Sequence, residues 1–224
     1  MKSLRLVILA FASMFLYSCC ATTTAVLPLG TYHRVGADPT IQIHKVIPVW
    51  IDQHFDKAHR AEVVSALNEW NMVLNGYIVY DVKDQFFDKT SEEGKKVLKS
   101  IEKTDEGLVI EWLSDDDPMF GDSDIEGLLG VTNDLGRPAH EIIMFKEHFV
   151  SDDMAAFHTV VMHELGHCAG VRHNWIKGNL MYPYYDGLGR YQSPCVDKLT
   201  AIAVAQYWGI PVEHLNYCSS PLFP

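Results

Sequence analysis

Basic residues are scarce in this chain. Its 224 residues carry 18 Lys and Arg against 29 Asp and Glu, a formal net charge of −11. That balance argues against a nucleic-acid partner and leaves no basic stripe for anionic lipid. No internal repeat is present, and the apolar run from Leu6 to Tyr17 is too short to span a bilayer comfortably. What remains is a chain with 48% hydrophobic residues, an ordinary value, and long enough for one domain with a substantial core.

Residues 1–20 read as a signal for export: Lys2 and Arg5 begin it, the apolar run follows, and small residues close it. Its end, Leu16-Tyr17-Ser18-Cys19, resembles the lipobox of bacterial lipoproteins, in which the cysteine becomes the lipid-bearing first residue; cleavage after a nearby small residue is the alternative. Either route leads out of the cytoplasm, to the bacterial cell envelope as a lipoprotein or to the medium as a secreted protein. An oxidising compartment permits disulfides. Cys195 and Cys218 bracket the last predicted helix and are the preferred pair, while Cys168 is read as a buried thiol or an alternative disulfide partner. Residues 21–40 are small, polar and Pro/Gly-containing, as suits a tether, and residues 41–224 form the expected domain.

The most specific feature is H-E-L-G-H-C-A-G-V-R-H, from His163 to His173. On a helix His163 and His167 share a face, so both imidazoles can reach one ion, with Glu164 a step around the helix. From there its carboxylate is poorly placed to join a tetrahedral ligand set but can reach a water beside the ion and take its proton. Gly170 allows the left-handed turn that ends the helix and returns the chain to deliver His173 as a third ligand. Three protein ligands leave a fourth position open, the mark of a catalytic zinc site. His33, His44, His54, His59, His140, His148, His158 and His214 lack ligand spacing and receive no role.

This pattern, followed by Asn179-Leu180-Met181-Tyr182-Pro183-Tyr184-Tyr185, resembles the metzincin zinc endopeptidases and, within them, the matrixins, which carry L-M-Y-P-x-Y at this distance. The resemblance implies one catalytic Zn²⁺, Met181 as a hydrophobic floor beneath it, and Pro183 to Tyr185 as the wall of the pocket just past the scissile bond. It also implies that an antiparallel edge strand binds substrate as an added strand, with Leu129 and Gly130 the candidate contacts. Residue 174 is Asn where matrixins usually carry Ser, and no upstream P-R-C-G-x-P-D segment is found that would support latency by a cysteine on the metal. Tyr182 and Tyr184 are candidate helpers near the oxyanion, and their spacing selects neither.

Along the domain, Val46 to Ile51 is β-rich, with Pro48 demoting it to a strand start or edge. Asp56 to Asn75 reads as a helix through Val63, Leu67, Trp70 and Leu74, and Tyr77 to Val82 returns as a strand, an order that implies parallel pairing. Residues 83–106 form a charged insertion with a short surface helix at Val97, Leu98 and Ile101; Leu108 to Leu113 is the third strand. Asp115, Asp116, Asp117, Asp122 and Asp124 lie in a run read as a solvated loop; they could ligate Ca²⁺, but their spacing fits no standard calcium loop. Gly127 to Thr132 and Glu141 to Phe145 pair as a hairpin about Asn133-Asp134-Leu135-Gly136. The motif helix starts near Ser151 or Asp152 and the last helix spans Asp197 to Trp208.

The expected architecture is α+β, a metzincin-like zincin fold: a twisted mixed sheet with two helices above a zinc cleft and a small C-terminal helical subdomain. The expected function is an exported zinc-dependent endopeptidase acting on peptide or protein substrates, with Glu164 as general base and membrane contact only through a lipid at Cys19. A surface-anchored binding protein that keeps zinc without turnover is the rival, and the intact Glu164 argues against it.

Overall fold

The structure is a computed structural model that describes residues 32–33, 35, 43, 45–84, 87–114, 117, 128–133, 141–149, 153–185 and 192–219. The expected signal, Cys19, the aspartates at 115, 116, 122 and 124, and the turn after Asn133 lie outside the described residues. Of the expected tether, Tyr32, His33 and Val35 are described, and they are held on the domain: Tyr32–His33 pairs with Tyr217–Cys218, and Val35 N donates to Asn216 Oδ1 at 2.8 Å. No helix among the described residues is long and apolar enough to cross a membrane.

The elements run β1 (Tyr32–His33), β2 (Lys45–Ile51), α1 (Lys57–Val73), β3 (Ile78–Val82), α2 (Glu92–Thr104), β4 (Leu108–Leu113), β5 (Gly130–Asn133), β6 (Glu141–Phe145), α3 (Met154–Cys168), α4 (Lys198–Trp208) and β7 (Tyr217–Cys218). Strands β3-β2-β4-β6-β5 form one five-stranded sheet. Its first four members are parallel, and β5 joins antiparallel at the edge beside β6. The predicted parallel pairing of β2 with β3, and the antiparallel pairing of β5 with β6, are both present.

Pro48 departs from expectation. It sits inside β2, a strand with a neighbour on each side, rather than at a start or edge. The ladder explains this: Pro48 pairs with Asp81 of β3, whereas pairing with β4 begins only at Val49 opposite Leu108. At Pro48 the strand is locally an edge, so the missing N–H need not cost a ladder bond.

Alternation along the strands separates two apolar faces. Leu108, Ile110 and Trp112 of β4, with Ile142 and Met144 of β6, face the main core with α1 and α3. Val109, with Phe87 and Ile101, packs on the opposite face under α2, so the charged insertion carries a 13-residue helix that covers the sheet. Helix α1 is capped by Asp56, whose carboxylate accepts from the N–H groups of Ala58 and His59. Trp70 of α1 is fully buried and donates its indole N–H to Met162 O of α3 at 3.1 Å, pinning the last turn of α1 to the middle of α3.

The C-terminal part closes below them. Cys195 and Cys218 form the preferred disulfide, with Cα atoms 6.2 Å apart, and Cys168 is a buried free thiol. Asp197 caps α4 by accepting from Leu199 N and Thr200 N. The same carboxylate accepts from Asn179 Nδ2 at 2.6 Å and Leu180 N at 2.9 Å, which ties α4 to the loop that contains Met181.

Candidate active site

Helix α3 is buried along nearly its whole length, from Ala156 to Cys168. A helix held on all sides fixes its side chains closely, and His163 and His167 come from its last turns. Asp153 caps it by accepting from Ala156 N at 2.8 Å, so the helix starts just after the predicted point. At the other end Gly170 N donates to His167 O at 2.9 Å and Val171 N to Gly166 O at 3.0 Å. This is a Schellman turn with Gly170 at φ +86°. A Cβ there would also collide with the ring of Tyr207. The turn carries the chain back toward the helix and delivers His173.

Each helix histidine is oriented by a main-chain carbonyl. His163 Nδ1 lies 2.8 Å from Leu180 O, and His167 Nδ1 lies 2.7 Å from Val171 O. A carbonyl only accepts, so each Nδ1 carries the proton and each Nε2 presents a lone pair. Nε2 of His173 stands 3.1 Å from Nε2 of both. Burial, then the neighbouring histidines, pushes His163 down to about 3; burial is the leading cause that brings His167 to about 4 and lowers His173. The rings are therefore neutral.

That donor set fits a zinc ion. Ligand atoms of the three histidines all lie within 4.8 Å of one another, the one such group among the described residues. Tetrahedral nitrogens at Zn–N distances of about 2.0–2.1 Å would stand roughly 3.3 Å apart, close to the observed spacing. Glu164 is outside this ligand group, as its position on the helix predicts. The buried Cys168 thiol is outside it too, and burial raises its pKa.

Met181 is fully buried and its sulfur lies against Gly166, where a Cβ would collide with it. The loop around it is knitted by side-chain amides. Asn179 Oδ1 accepts from Met181 N at 2.8 Å and from Asn174 Nδ2, and Asn174 N donates to Met181 O at 3.0 Å. Asn174, the departure from the usual matrixin Ser, thus locks the segment after His173 to the Met181 turn.

The histidines open on a cleft of about 300 Å³ whose walls include Leu129, Gly130, Pro183, Tyr184 and Tyr185, every pocket residue expected from sequence. Leu129 and Gly130 are not equivalent. Leu129 O accepts from Phe145 N at 3.2 Å within the sheet. By antiparallel alternation the backbone groups of Gly130 and Thr132 then face the unpaired edge.

Glu164 is 5% exposed, and burial pushes its carboxyl up to about 7, against the lowering effect of a hydrogen bond from Thr132. Thr132 Oγ1 donates to Glu164 Oε2 at 2.5 Å. Thr132 and Gln192 line the cleft, and the sequence reading passed over both. The signal for Thr132 was the period of a strand: two residues beyond Gly130, it shares that residue's face. Gln192 donates to Tyr182 O and had no comparable signal.

A buried sheet-and-helix scaffold presents three imidazole acceptors and a carboxyl to an open cleft, a donor set suited to zinc with a fourth position left open. The matrixin profile matches residues 44–202, and the chain belongs to the matrixin family. Over 53 residues it is 40% identical to karilysin of Tannerella forsythia, a stretch that covers 24% of this chain and 10% of karilysin, so the chain spans about a tenth of that relative. Among solved structures, archaemetzincin from Methanopyrus kandleri is similar at a TM-score of 0.48 and 17% identity, covering 75% of this chain and 96% of that one. Metalloproteinase-II from Bacteroides fragilis is similar at 0.43 and 13%, covering 80% and 58%.

Proposed function

We propose that this chain is an exported zinc-dependent endopeptidase, with residues 1–20 the export signal and residues 41–224 the catalytic unit, to which the end of the segment between them adds β1. The observation that carries the reading is the convergence of three histidine Nε2 atoms beside a buried carboxyl at the wall of an open cleft. His163, His167 and His173 would hold the ion. When bound, zinc supplies a Lewis acid that polarises a peptide carbonyl and lowers the pKa of a water toward roughly 7.

The rest of the work falls to the chain. Glu164 accepts the proton of the attacking water and passes it to the leaving amine, the two tasks of a general acid-base residue. The substrate lies extended along β5, pairing with the outward backbone groups at Gly130, while Pro183 and Tyr185 wall the pocket past the scissile bond. Met181 supports the histidines from below.

The test is to purify the exported chain, measure zinc, and present an unbiased peptide library. One zinc per chain with internal cleavage is expected; zinc without cleavage would overturn the peptidase reading. Export is tested separately by fractionating bacteria that express the wild type and Cys19→Ser. A lipid anchor predicts wild type with membranes and altered processing of the variant, and two soluble, identical proteins would exclude it.

A further inference from the structure

The carboxyl in the cleft wall is held by a residue of the edge strand. Thr132 and Glu164 are 32 residues apart in sequence, yet Thr132 Oγ1 stands 2.5 Å from Glu164 Oε2 and 3.2 Å from Glu164 O. From these contacts we infer that Thr132 is the positioning residue for Glu164. The inference rests on the peptidase reading given above.

The geometry is restrictive. Glu164 belongs to α3, and its side chain leaves the helix toward β5. There it meets Gly130, where a Cβ would stand 3.0 Å from Glu164 Cγ and 3.1 Å from Oε1. Gly130 leaves the room and Thr132, on the same face of the strand, supplies the hold. With Oε2 engaged by the hydroxyl, Oε1 is the oxygen left beside Gly130 in the cleft wall. A carboxylate with both oxygens loose would sample several rotamers, and a reacting group displaced by about 1 Å loses on the order of 10²-fold in rate. The second acceptor, Glu164 O, gives the hydroxyl another place to donate when the carboxyl itself carries a proton and becomes the donor. One hydroxyl can thus hold Glu164 before and after it has taken the proton of water.

The experiment compares Thr132→Val and Thr132→Ser with wild type in the zinc-loaded full chain, on a peptide chosen from the library. Thr132→Val should lower kcat by ~10-fold or more with KM within about twofold and with zinc content and thermal midpoint unchanged, while Thr132→Ser keeps most of kcat. In crystals of the metal-free proteins the Glu164 carboxylate should leave its wild-type position in the Val variant and keep it in the Ser variant. If Val unfolds the chain, Thr132→Ala, which only removes atoms, takes its place in both measurements. Wild-type kcat in the Val variant, an equal loss in the Ser variant, or an unmoved carboxylate overturns the inference while leaving the peptidase reading intact. A zinc-loaded wild type that cleaves nothing overturns that reading and the inference together.

Discussion

His167 Nδ1 and the carbonyl of Val171 lie 2.7 Å apart across the turn at Gly170, so the turn that ends the helix also fixes the tautomer of a ligand on it. Imidazoles pre-oriented in this way bind an ion with little ordering cost, as outer-shell carbonyls do at other zinc sites.

Metal binding should therefore stabilise the fold. At free zinc a thousandfold above Kd, linkage amounts to about 4 kcal/mol, and chelation should lower Tm by several degrees. His173→Ala leaves two imidazoles, so it should bind zinc more weakly and show a much smaller chelator effect. A variant with wild-type zinc content and affinity would mean that another residue is the third ligand.

Replacing Glu164 with Gln separates base from ligand. Zinc content and folding should stay near wild type, while hydrolysis falls by ~10²-fold or more, the usual consequence of losing a general base. Retention of most activity would remove Glu164 from the mechanism.

The spacing from His163 to Met181 made the centre of this site legible, because ligand geometry is local to a helix and one turn. The disulfide of Cys195 with Cys218 was legible for a similar reason, two cysteines bracketing one helix. Thr132 was not singled out, since its role depends on β5 lying against α3, a contact that no local pattern encodes. Asp197 was read only as a helix start, yet its carboxylate reaches back to Asn179 and Leu180. The placement of α2 on the sheet likewise depends on Phe87 and Val109 meeting Ile101 in tertiary space. Pro48 was misread because a strand can have two neighbours without having both at every residue.

Asp197 yields a prediction on stability and on metal together. It is buried and accepts from Asn179 Nδ2, Leu180 N, Leu199 N, Thr200 N and Thr200 Oγ1. Asp197→Ala loses a helix cap, worth ~1 kcal/mol, and leaves buried donors unpaired at ~1–3 kcal/mol. A loss of about 2–4 kcal/mol in denaturant unfolding is expected. Because Leu180 O orients His163, zinc affinity should fall as well. A stability loss with wild-type zinc affinity would show that the Met181 turn holds its shape without this carboxylate.

A buried carboxyl on the other face of the sheet sets a pH dependence independent of the metal. Glu111 of β4 is 1% exposed; burial is the leading cause that lifts it from 4.5 to about 7, opposed by Lys89, whose ammonium lies 3.0 Å from Oε2, and reinforced by Glu141. Between about 4.5 and about 7 the folded chain thus holds a proton that the unfolded chain has released. Linkage then makes unfolding easier as the pH rises, so this contribution is fully present below 4.5 and is lost through about 7. Glu111→Gln cannot titrate. In chelated protein the stability of wild type minus that of Glu111→Gln should fall across this window and level off above it, measured by urea unfolding at stepped pH. A difference that stays constant with pH would show that Glu111 remains an ordinary carboxylate, its burial offset in full by Lys89.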